Sequence, residues 1–208
     1  MDIAKQFGII PVNYGTLTAS LSDYKSPKDR IEYLEATGII MRIKKGLYVC
    51  SPKATGMPLS LELIANHLYN PSYISYESAL SFYGIIPERA YTIKSAVMKR
   101  SKTYTTSLGH FEYIQTDTSY FSIGVRSEVV RNAYAYMIAT PEKALCDMIL
   151  SAKGLRLQSR RTMQIYLEED LRCDFSLIEK MNLKIIKQCA ELSHKKNKEL
   201  NLLYDLLK

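Results

Sequence analysis

The hydrophobic period of this chain changes at Gly38, and this change limits the folds open to its N-terminal segment. Before it, Ser26 and Pro27 read as a helix start, because serine caps helix N-termini and proline favours the first helical position. After it, apolar and other residues alternate with a period of two over residues 39–44, and Lys45-Gly46 forms a tight turn into residues 47–50. The pattern predicts a helix over residues 27–37, then a β-hairpin.

A second short helix is predicted upstream, over residues 16–22, because Leu17 and Leu21 lie four residues apart. Residues 22–25 then form the turn between the two helices. Two helices followed by a hairpin with a basic tip predict a winged helix-turn-helix. In that architecture the second helix enters the major groove of DNA and the wing lies along the phosphate backbone.

Five cations of this segment are candidate DNA contacts. Lys28 and Arg30 on the second helix are candidates for reading bases, with Tyr33 as a further candidate. The phosphate-contact candidates are the wing cations Arg42, Lys44 and Lys45. We expect these three to stand in a wing that is not buried.

In an alternative interpretation the segment binds no DNA, since most short charged helices only expose their charged face to solvent. Glu32 and Glu35 favour it, because carboxylates facing a groove would repel phosphate. Three cations within residues 42–46 favour DNA. Some winged helices bind proteins, and the pattern does not distinguish the two.

Composition narrows the class of protein. The 208 residues are 47% hydrophobic and 24% charged, the balance of a folded chain. The longest apolar run, residues 133–139, is far shorter than the ~20 residues of a membrane helix. The N-terminus has no secretory pattern, and the four cysteines form no C-x-x-C pair. We therefore expect a cytoplasmic protein with no membrane contact.

The formal net charge of +7 is unevenly distributed. Residues 1–58 hold eight basic and five acidic side chains, residues 59–145 eight and seven, and residues 146–208 twelve and nine. Both ends are basic and the middle is nearly neutral. An excess of positive charge favours anionic partners, nucleic acid foremost.

Residues 52–58 read as a linker, so we predict a winged-helix domain over residues 1–54 and a second domain over residues 55–208. A helix over residues 59–68 and a Ser75-capped helix ending at Gly84 are predicted next. Four strands follow, and their close spacing predicts an antiparallel sheet. Their ranges are 91–98, 108–115, 119–130 and 133–138.

A further helix start lies at Thr140 and Pro141, and the chain is predicted helical from about Ser159 to its end. Lys196 interrupts an apolar stripe there, which predicts a break over residues 193–198 and two helices. The stripe fits a coiled coil or, more commonly, a bundle helix packed on its own domain. The fold class predicted overall is α+β, with a helical C-terminal end.

Sequence signatures of enzymes are missing. No two of the nine glycines are closer than seven positions, which excludes both glycine-rich phosphate loops. The three histidines have no partners at metal-ligand spacing, Asp23-Tyr24-Lys25 is the single nuclease-like D-x-K match, and no G-x-S-x-G elbow occurs. We predict no catalytic residue, no metal and no cofactor.

Three stretches together resemble the AbiEi-type antitoxins of the AbiE abortive-infection toxin–antitoxin system. The first is Arg42-Ile43-Lys44-Lys45-Gly46-Leu47-Tyr48-Val49, which closes the predicted winged helix. The second is Tyr73-Ile74-Ser75-Tyr76-Glu77-Ser78-Ala79-Leu80, followed by Tyr83-Gly84-Ile85-Ile86-Pro87. The third is Ile138-Ala139-Thr140-Pro141-Glu142-Lys143-Ala144-Leu145-Cys146-Asp147. The resemblance spans roughly residues 10–150.

The resemblance implies a bacterial protein with two activities. Its N-terminal domain would bind inverted repeats in double-stranded DNA of its own promoter and repress transcription. Its C-terminal domain would counter a co-encoded nucleotidyltransferase-like toxin, in a type IV arrangement that requires no stable complex. The DNA-binding positions implied are the five cations already named. Six further positions mark the family pattern and are also explained by caps, dipole partners and packing: Ser75, Glu77, Ser78, Glu142, Lys143 and Asp147.

Two alternatives remain open on the sequence. The chain could be a protein-interaction module, in which basic C-terminal helices dock an acidic partner and the winged helix is a scaffold that binds no DNA. A weaker alternative is a DNA-processing enzyme with a nonstandard site.

Overall fold

A computed structural model describes residues 2–208 of the chain. The N-terminal part consists of three helices and three short strands. In chain order they are α1 (Ile3–Phe7), β1 (Val12–Asn13), α2 (Tyr14–Ser20), α3 (Pro27–Ala36), β2 (Ile40–Lys44) and β3 (Leu47–Cys50). The strands form an antiparallel sheet in the order β1-β3-β2.

Local sequence signals account for α3. The Ser26 hydroxyl accepts a hydrogen bond from the Asp29 amide at 3.4 Å, Pro27 opens the helix, and Gly38 adopts a φ of 69° just after it. The upstream helix predicted over residues 16–22 is confirmed as α2, but it starts two residues earlier than predicted because the Asn13 side chain caps it. Leu17 and Leu21 are buried as expected.

The two faces of the β2–β3 hairpin pack against different parts of the molecule. Ile40, Tyr48 and Cys50 join the small core under α2 and α3. Ile43, Leu47 and Val49 belong instead to the main core of the C-terminal part. Period-two alternation gives this hairpin two apolar faces, and both are covered. Of the three wing cations, Arg42 and Lys45 are exposed as expected, whereas Lys44 is half-buried.

The rest of the chain opens with a short helix, α4 (Pro52–Thr55), where a linker is predicted. The following elements are α5 (Leu61–Leu68), β4 (Ser72–Ile74), α6 (Tyr76–Phe82), β5 (Thr92–Val97), β6 (Lys102–Thr106), β7 (Gly109–Gln115), α7 (Thr118–Phe121), β8 (Val125–Val130) and β9 (Tyr134–Ala139). Helices then occupy the C-terminal part: α8 (Pro141–Ser151), α9 (Arg160–Ile165), a π-helical turn (Tyr166–Asp170), α10 (Phe175–Ile178), α11 (Leu183–Leu192) and α12 (Asn197–Leu207).

Six strands form one mixed sheet in the order β6-β7-β5-β4-β9-β8. The predicted antiparallel arrangement is wrong for β5 and β7, which run parallel. Strand β4, which is not among the four predicted strands, also runs parallel to its neighbour β9. The connection from β5 to the parallel strand β7 passes through β6, a strand at the sheet edge that was not predicted. The connection from β4 to the parallel strand β9 contains all the elements that lie between them in the chain. The start of the predicted strand over residues 119–130 is also wrong, because α7 occupies it.

Helix α8 is central to the C-terminal part, with α6 packed on one side and α11 and α12 nearby. The predicted break between the last two helices is confirmed, since α11 ends at Leu192 and α12 begins at Asn197. Lys196 interrupts the apolar stripe because its ammonium donates to the Ile149 carbonyl at 2.8 Å and also to that of Ala152, at the end of α8. The stripe itself packs on the chain's own core, where Leu200 and Leu203 are buried.

The architecture is α+β, with strands and helices in both parts. Within residues 2–208, no helix is both long enough and apolar enough to cross a membrane.

Candidate functional site

Two regions hold the residues singled out in the sequence: the surface of the N-terminal part, and a buried polar network around α8. On the surface, Lys28 is exposed and its ammonium lies 3.9 Å from a Glu32 carboxylate oxygen. Lys45 is exposed at the hairpin turn and forms no ion pair within residues 2–208. These two cations are open to an anionic partner.

Arg30 is held between two aromatic rings. Its guanidinium carbon lies 4.9 Å from the ring centroids of both Tyr24 and Tyr33. Its Nε is buried without a hydrogen-bond partner in the described residues. Stacking of this kind fixes the guanidinium plane and reduces the rotamer entropy lost when the group binds.

Arg42 and Lys44 are engaged within the protein. An Arg42 guanidinium nitrogen lies 2.6 Å from Glu35, and this hydrogen bond, with the nearby Tyr48, raises the Arg42 pKa. Lys44 donates to the Leu68 carbonyl, and its ammonium lies 5.5 Å from the Tyr104 ring centroid. Lys44 thus points into the C-terminal part, since the hairpin is buried on that side, and not along a free wing.

The solvent side of α3 is mixed in charge. Asp29, Glu32 and Tyr33 are all exposed there. Carboxylates at this position oppose contact with phosphate but can accept a hydrogen bond from cytosine in the major groove.

The six positions that mark the family pattern have two kinds of structural role. Some of them connect neighbouring helices and strands, and the others belong to a buried polar network. Glu77 forms an ion pair with Lys94 at 2.8 Å. The Ser78 hydroxyl donates to the Thr92 carbonyl and accepts from the Lys94 amide, which ties α6 to β5. Glu142 accepts a hydrogen bond from the Asn182 amide at 2.8 Å and so ties the start of α8 to the start of α11.

The buried network centres on Asp147, which is 2% exposed. Its Oδ2 accepts hydrogen bonds from the Ser75 hydroxyl at 2.5 Å and the Tyr73 hydroxyl at 3.1 Å. Its Oδ1 lies 3.5 Å from the ammonium of the fully buried Lys143. Lys143 also donates to the Tyr120 carbonyl at 2.8 Å.

Ser75 occupies the N-cap position of α6, as predicted, but its side chain does not cap that helix. The hydroxyl turns to Asp147 because a buried carboxylate is the stronger acceptor. Of the network's five residues, Tyr73 and Tyr120 were not singled out as site residues. Tyr73 lies in the motif that carries Ser75, two residues away and therefore on the same strand face, whereas Tyr120 carries no local signal.

Burial dominates the electrostatics of the pair. Desolvation raises the Asp147 pKa above its ordinary value, although Lys143 and the Ser75 hydroxyl act in the opposite direction. Desolvation likewise lowers the Lys143 pKa, opposed by the Asp147 charge. Removing either partner would leave a buried charge without its counter-ion.

A cleft of about 470 Å³ lies against this network. Asp147 and Tyr120 both line it, together with Tyr76, whose φ of 55° is unusual for a bulky residue. The remaining wall is largely polar and includes Ser101, Gln115, Thr116, Ser151, Ser193 and His194.

Residues 2–208 contain no group of three or more His, Cys, Asp or Glu side chains placed to hold a metal ion. All four cysteines are free and buried. Burial raises the pKa of Cys50 to about 11 and that of Cys173 to about 12, so these thiols are poor nucleophiles near neutral pH.

No protein-family model matches the chain, and no curated protein matches it.

Proposed function

We propose that the chain is a DNA-binding transcriptional autorepressor and antitoxin of the AbiEi type. The observation that carries the DNA-binding half is the order and packing of the N-terminal part. Helices α2 and α3 are joined by a short turn, and a two-stranded hairpin follows and is extended by β1 into a three-stranded sheet. This is the element order of a winged helix-turn-helix, in which α3 would enter the major groove.

The surface chemistry supports this assignment in part. Lys28 and Lys45 are exposed cations suited to phosphate, and Arg30 presents a guanidinium held by two tyrosine rings. Arginine in such a position suits recognition of guanine. Arg42 and Lys44 are secondary candidates, because each already has a partner inside the protein.

In this proposal the antitoxin activity belongs to residues 55–208 and acts on a co-encoded nucleotidyltransferase-like toxin without requiring a stable complex. Its support is the resemblance of the two later motifs. Their polar residues hold the C-terminal part together: Ser75, Lys143 and Asp147 form the buried network, and Ser78 and Glu142 connect elements. We therefore place the contact with a toxin outside these side chains.

A second candidate function is a protein-interaction module whose winged helix binds no DNA. One observation favours it: the hairpin that would form the wing is covered on both faces, and Lys44 is directed into the C-terminal part. Asp29 and Glu32 on the exposed side of α3 are a second obstacle to phosphate contact.

The two functions are separated by titrating the full chain into fluorescein-labelled duplex DNA from upstream of its own gene, with a scrambled duplex in parallel. The proposed function predicts preferential binding of the upstream duplex. A double variant, Lys28→Ala with Lys45→Ala, should weaken binding to both duplexes. A matched control, Lys180→Ala with Lys187→Ala, removes two exposed charges from the C-terminal part and should leave binding unchanged.

Co-expression with a nucleotidyltransferase-like protein encoded beside the gene tests the other half. The wild-type chain and the Lys28→Ala, Lys45→Ala variant should both restore growth, because the two activities reside in different parts. If the wild-type chain does not restore growth, the proposed antitoxin activity is wrong, and the proposed DNA binding is unaffected by that result.

A further inference from the structure

The turn between β5 and β6 carries an excess of positive charge. Residues 89–111 contain five lysines and arginines and no aspartate or glutamate. Three of these cations, Lys99, Arg100 and Lys102, are exposed on the turn and on the first residue of β6. Within residues 2–208 none of the three forms an ion pair with a carboxylate. Their charges are therefore open to an anionic partner.

Two tyrosine rings hold the lysines of this turn in place. The Lys102 ammonium lies 4.6 Å from the Tyr104 ring centroid and 5.9 Å from that of Tyr69. The Lys99 ammonium lies 5.5 Å from the same Tyr69 ring and donates to the Asn70 carbonyl at 2.7 Å. The Tyr69 hydroxyl donates to a carbonyl of the turn at 3.2 Å. Cations ordered in this way lose less rotamer freedom when they meet an anion.

The hairpin of the N-terminal part brings a further cation to the same rings. The ammonium of Lys44, in β2, lies 5.5 Å from the Tyr104 ring centroid. Tyr104 is therefore shared by Lys44 and Lys102, which come from the two parts of the chain. The cations around the two rings form one basic strip, made of Lys44, Lys99, Arg100 and Lys102.

Packing fixes the basic strip relative to α3. Ile43 and Leu47, on either side of the hairpin turn, belong to the main core of the C-terminal part. Arg42, in the same strand as Lys44, pairs with Glu35 of α3 at 2.6 Å. The hairpin thus connects α3 with the β5–β6 turn, so a rigid partner that docks on α3 meets the basic strip at a defined distance.

Like charges brought together without counter-charges repel one another, and cation–π contacts offset only a part of this cost. A polyanion offsets the rest. The phosphates of a DNA duplex follow one another at short, regular intervals along a stiff backbone. A row of fixed cations suits such a partner, and this row starts at the hairpin, which is the element that lies along the phosphate backbone in a winged helix.

We propose, building on the DNA binding proposed above, that the basic strip extends the duplex contact beyond the winged helix. Phosphates that flank the site read by α3 would lie against Lys99, Arg100 and Lys102. Contacts of this kind add affinity that is independent of base sequence, and they place the C-terminal part against the DNA. The covered hairpin is then no obstacle to DNA binding, because the surface beside it also carries cations.

The test uses the full chain and a duplex with a single upstream half-site, and binding is followed by fluorescence anisotropy. The strip variant is Lys99→Gln, Arg100→Gln and Lys102→Gln, because glutamine keeps part of the side-chain stem and removes the charge. It should bind about tenfold more weakly at about 100 mM salt and reduce the log–log salt slope by about two to three. The matched control, Lys180→Ala with Lys187→Ala, should change neither value.

Duplex length separates the basic strip from the winged helix. Stepwise trimming of the flank on the side of the strip should weaken wild-type binding and leave the strip variant unaffected, because that variant has no contact there to lose. The Lys28→Ala, Lys45→Ala variant should still respond to trimming. Lys99→Arg with Lys102→Arg should bind as the wild type does, since the positive charge is kept. Equal urea midpoints for the wild type and the strip variant exclude misfolding as the cause.

A strip variant with the affinity and salt slope of the wild type would overturn the role of the strip and leave DNA binding by the winged helix intact. A wild-type chain that binds no upstream duplex would overturn both. A strip variant that binds DNA normally but no longer restores growth in co-expression would assign these cations to contact with the toxin instead.

Discussion

The ammonium of Lys143 lies 3.5 Å from Oδ1 of Asp147, one turn along α8, and the two side chains are 0% and 2% exposed. The pair joins α8 to β4 through Tyr73, to the start of α6 through Ser75, and to α7 through the Tyr120 carbonyl. It is therefore a connection among four elements and not an isolated ion pair.

Replacing one partner of this pair should be costly. Lys143→Met leaves Asp147 buried without its cation, and we expect a loss of about 3–5 kcal/mol in the free energy of unfolding. The double variant, Lys143→Met with Asp147→Asn, should lose less, because it leaves no unpaired charge. Urea denaturation of the three proteins measures both values, and equal losses in the single and double variants would contradict the account.

The same pair predicts how stability depends on pH. Asp147 has a raised pKa, so the folded chain keeps a proton that the unfolded chain loses, and stability falls as pH rises from the ordinary value of 3.8 through the folded pKa. Lys143 has a lowered pKa, so the unfolded chain keeps a proton that the folded chain loses, and stability rises as pH increases from the folded pKa towards 10.5.

The pair's contribution is isolated by subtracting the unfolding free energy of the Lys143→Met, Asp147→Asn variant from that of the wild type. Measured by urea denaturation from about pH 4 to about pH 10, this difference should fall at the acid end and rise at the alkaline end. A difference that instead increases as pH rises from about 4 would mean that the Asp147 pKa is lowered by its partners.

Gly124 shows how tightly the start of α8 is covered. A Cβ at this position would lie 2.9 Å from Lys143 Cβ and 2.9 Å from Ile185 Cγ2, and the φ of Gly124 is 57°. Gly154 has a similar φ of 72° but open space around it, so it is a matched control. Both alanine variants carry the backbone strain, and Gly124→Ala should cost about 1–3 kcal/mol more because of the added contacts. Thermal or urea unfolding decides this, and equal costs would show that α8 and α11 move apart easily.

Two adjacent lysines should behave differently. Lys44→Ala removes a charged hydrogen bond to Leu68, so we expect a loss of about 1.5–3 kcal/mol in stability. Lys45→Ala removes an exposed cation and should change stability by less than about 0.5 kcal/mol while weakening DNA binding. Urea denaturation and DNA anisotropy on both variants check the contrast. A destabilised Lys45→Ala variant, or an unaffected Lys44→Ala variant, would reverse the assignment.

Local chemistry made some elements predictable. Ser26 with Pro27 and Thr140 with Pro141 fix two helix starts, because the cap and the proline act within a few residues. Lys196 predicts the break before α12, because a lysine in an apolar stripe needs a hydrogen-bond acceptor for its ammonium.

Long-range pairing was not predictable in the same way. Strand β6 has three threonines among its five residues and no apolar alternation, so its place at the sheet edge depends on β7. The direction of Lys44 depends on Leu68, which lies 24 residues away. The Tyr120–Lys143 contact joins α7 to α8 with no shared motif. The candidate site around Asp147 could therefore be predicted only as a set of motif positions, without its tyrosines or its cleft.

DNA binding by the N-terminal part predicts a defined salt dependence of the affinity for the upstream duplex. If about three to five phosphates are contacted, the logarithm of affinity against the logarithm of salt concentration should have a slope near −3 to −5. The Lys28→Ala, Lys45→Ala variant should reduce that slope by about two, since each lysine neutralises one phosphate. Affinity that does not change with salt, or a slope that the variant leaves unchanged, would contradict it.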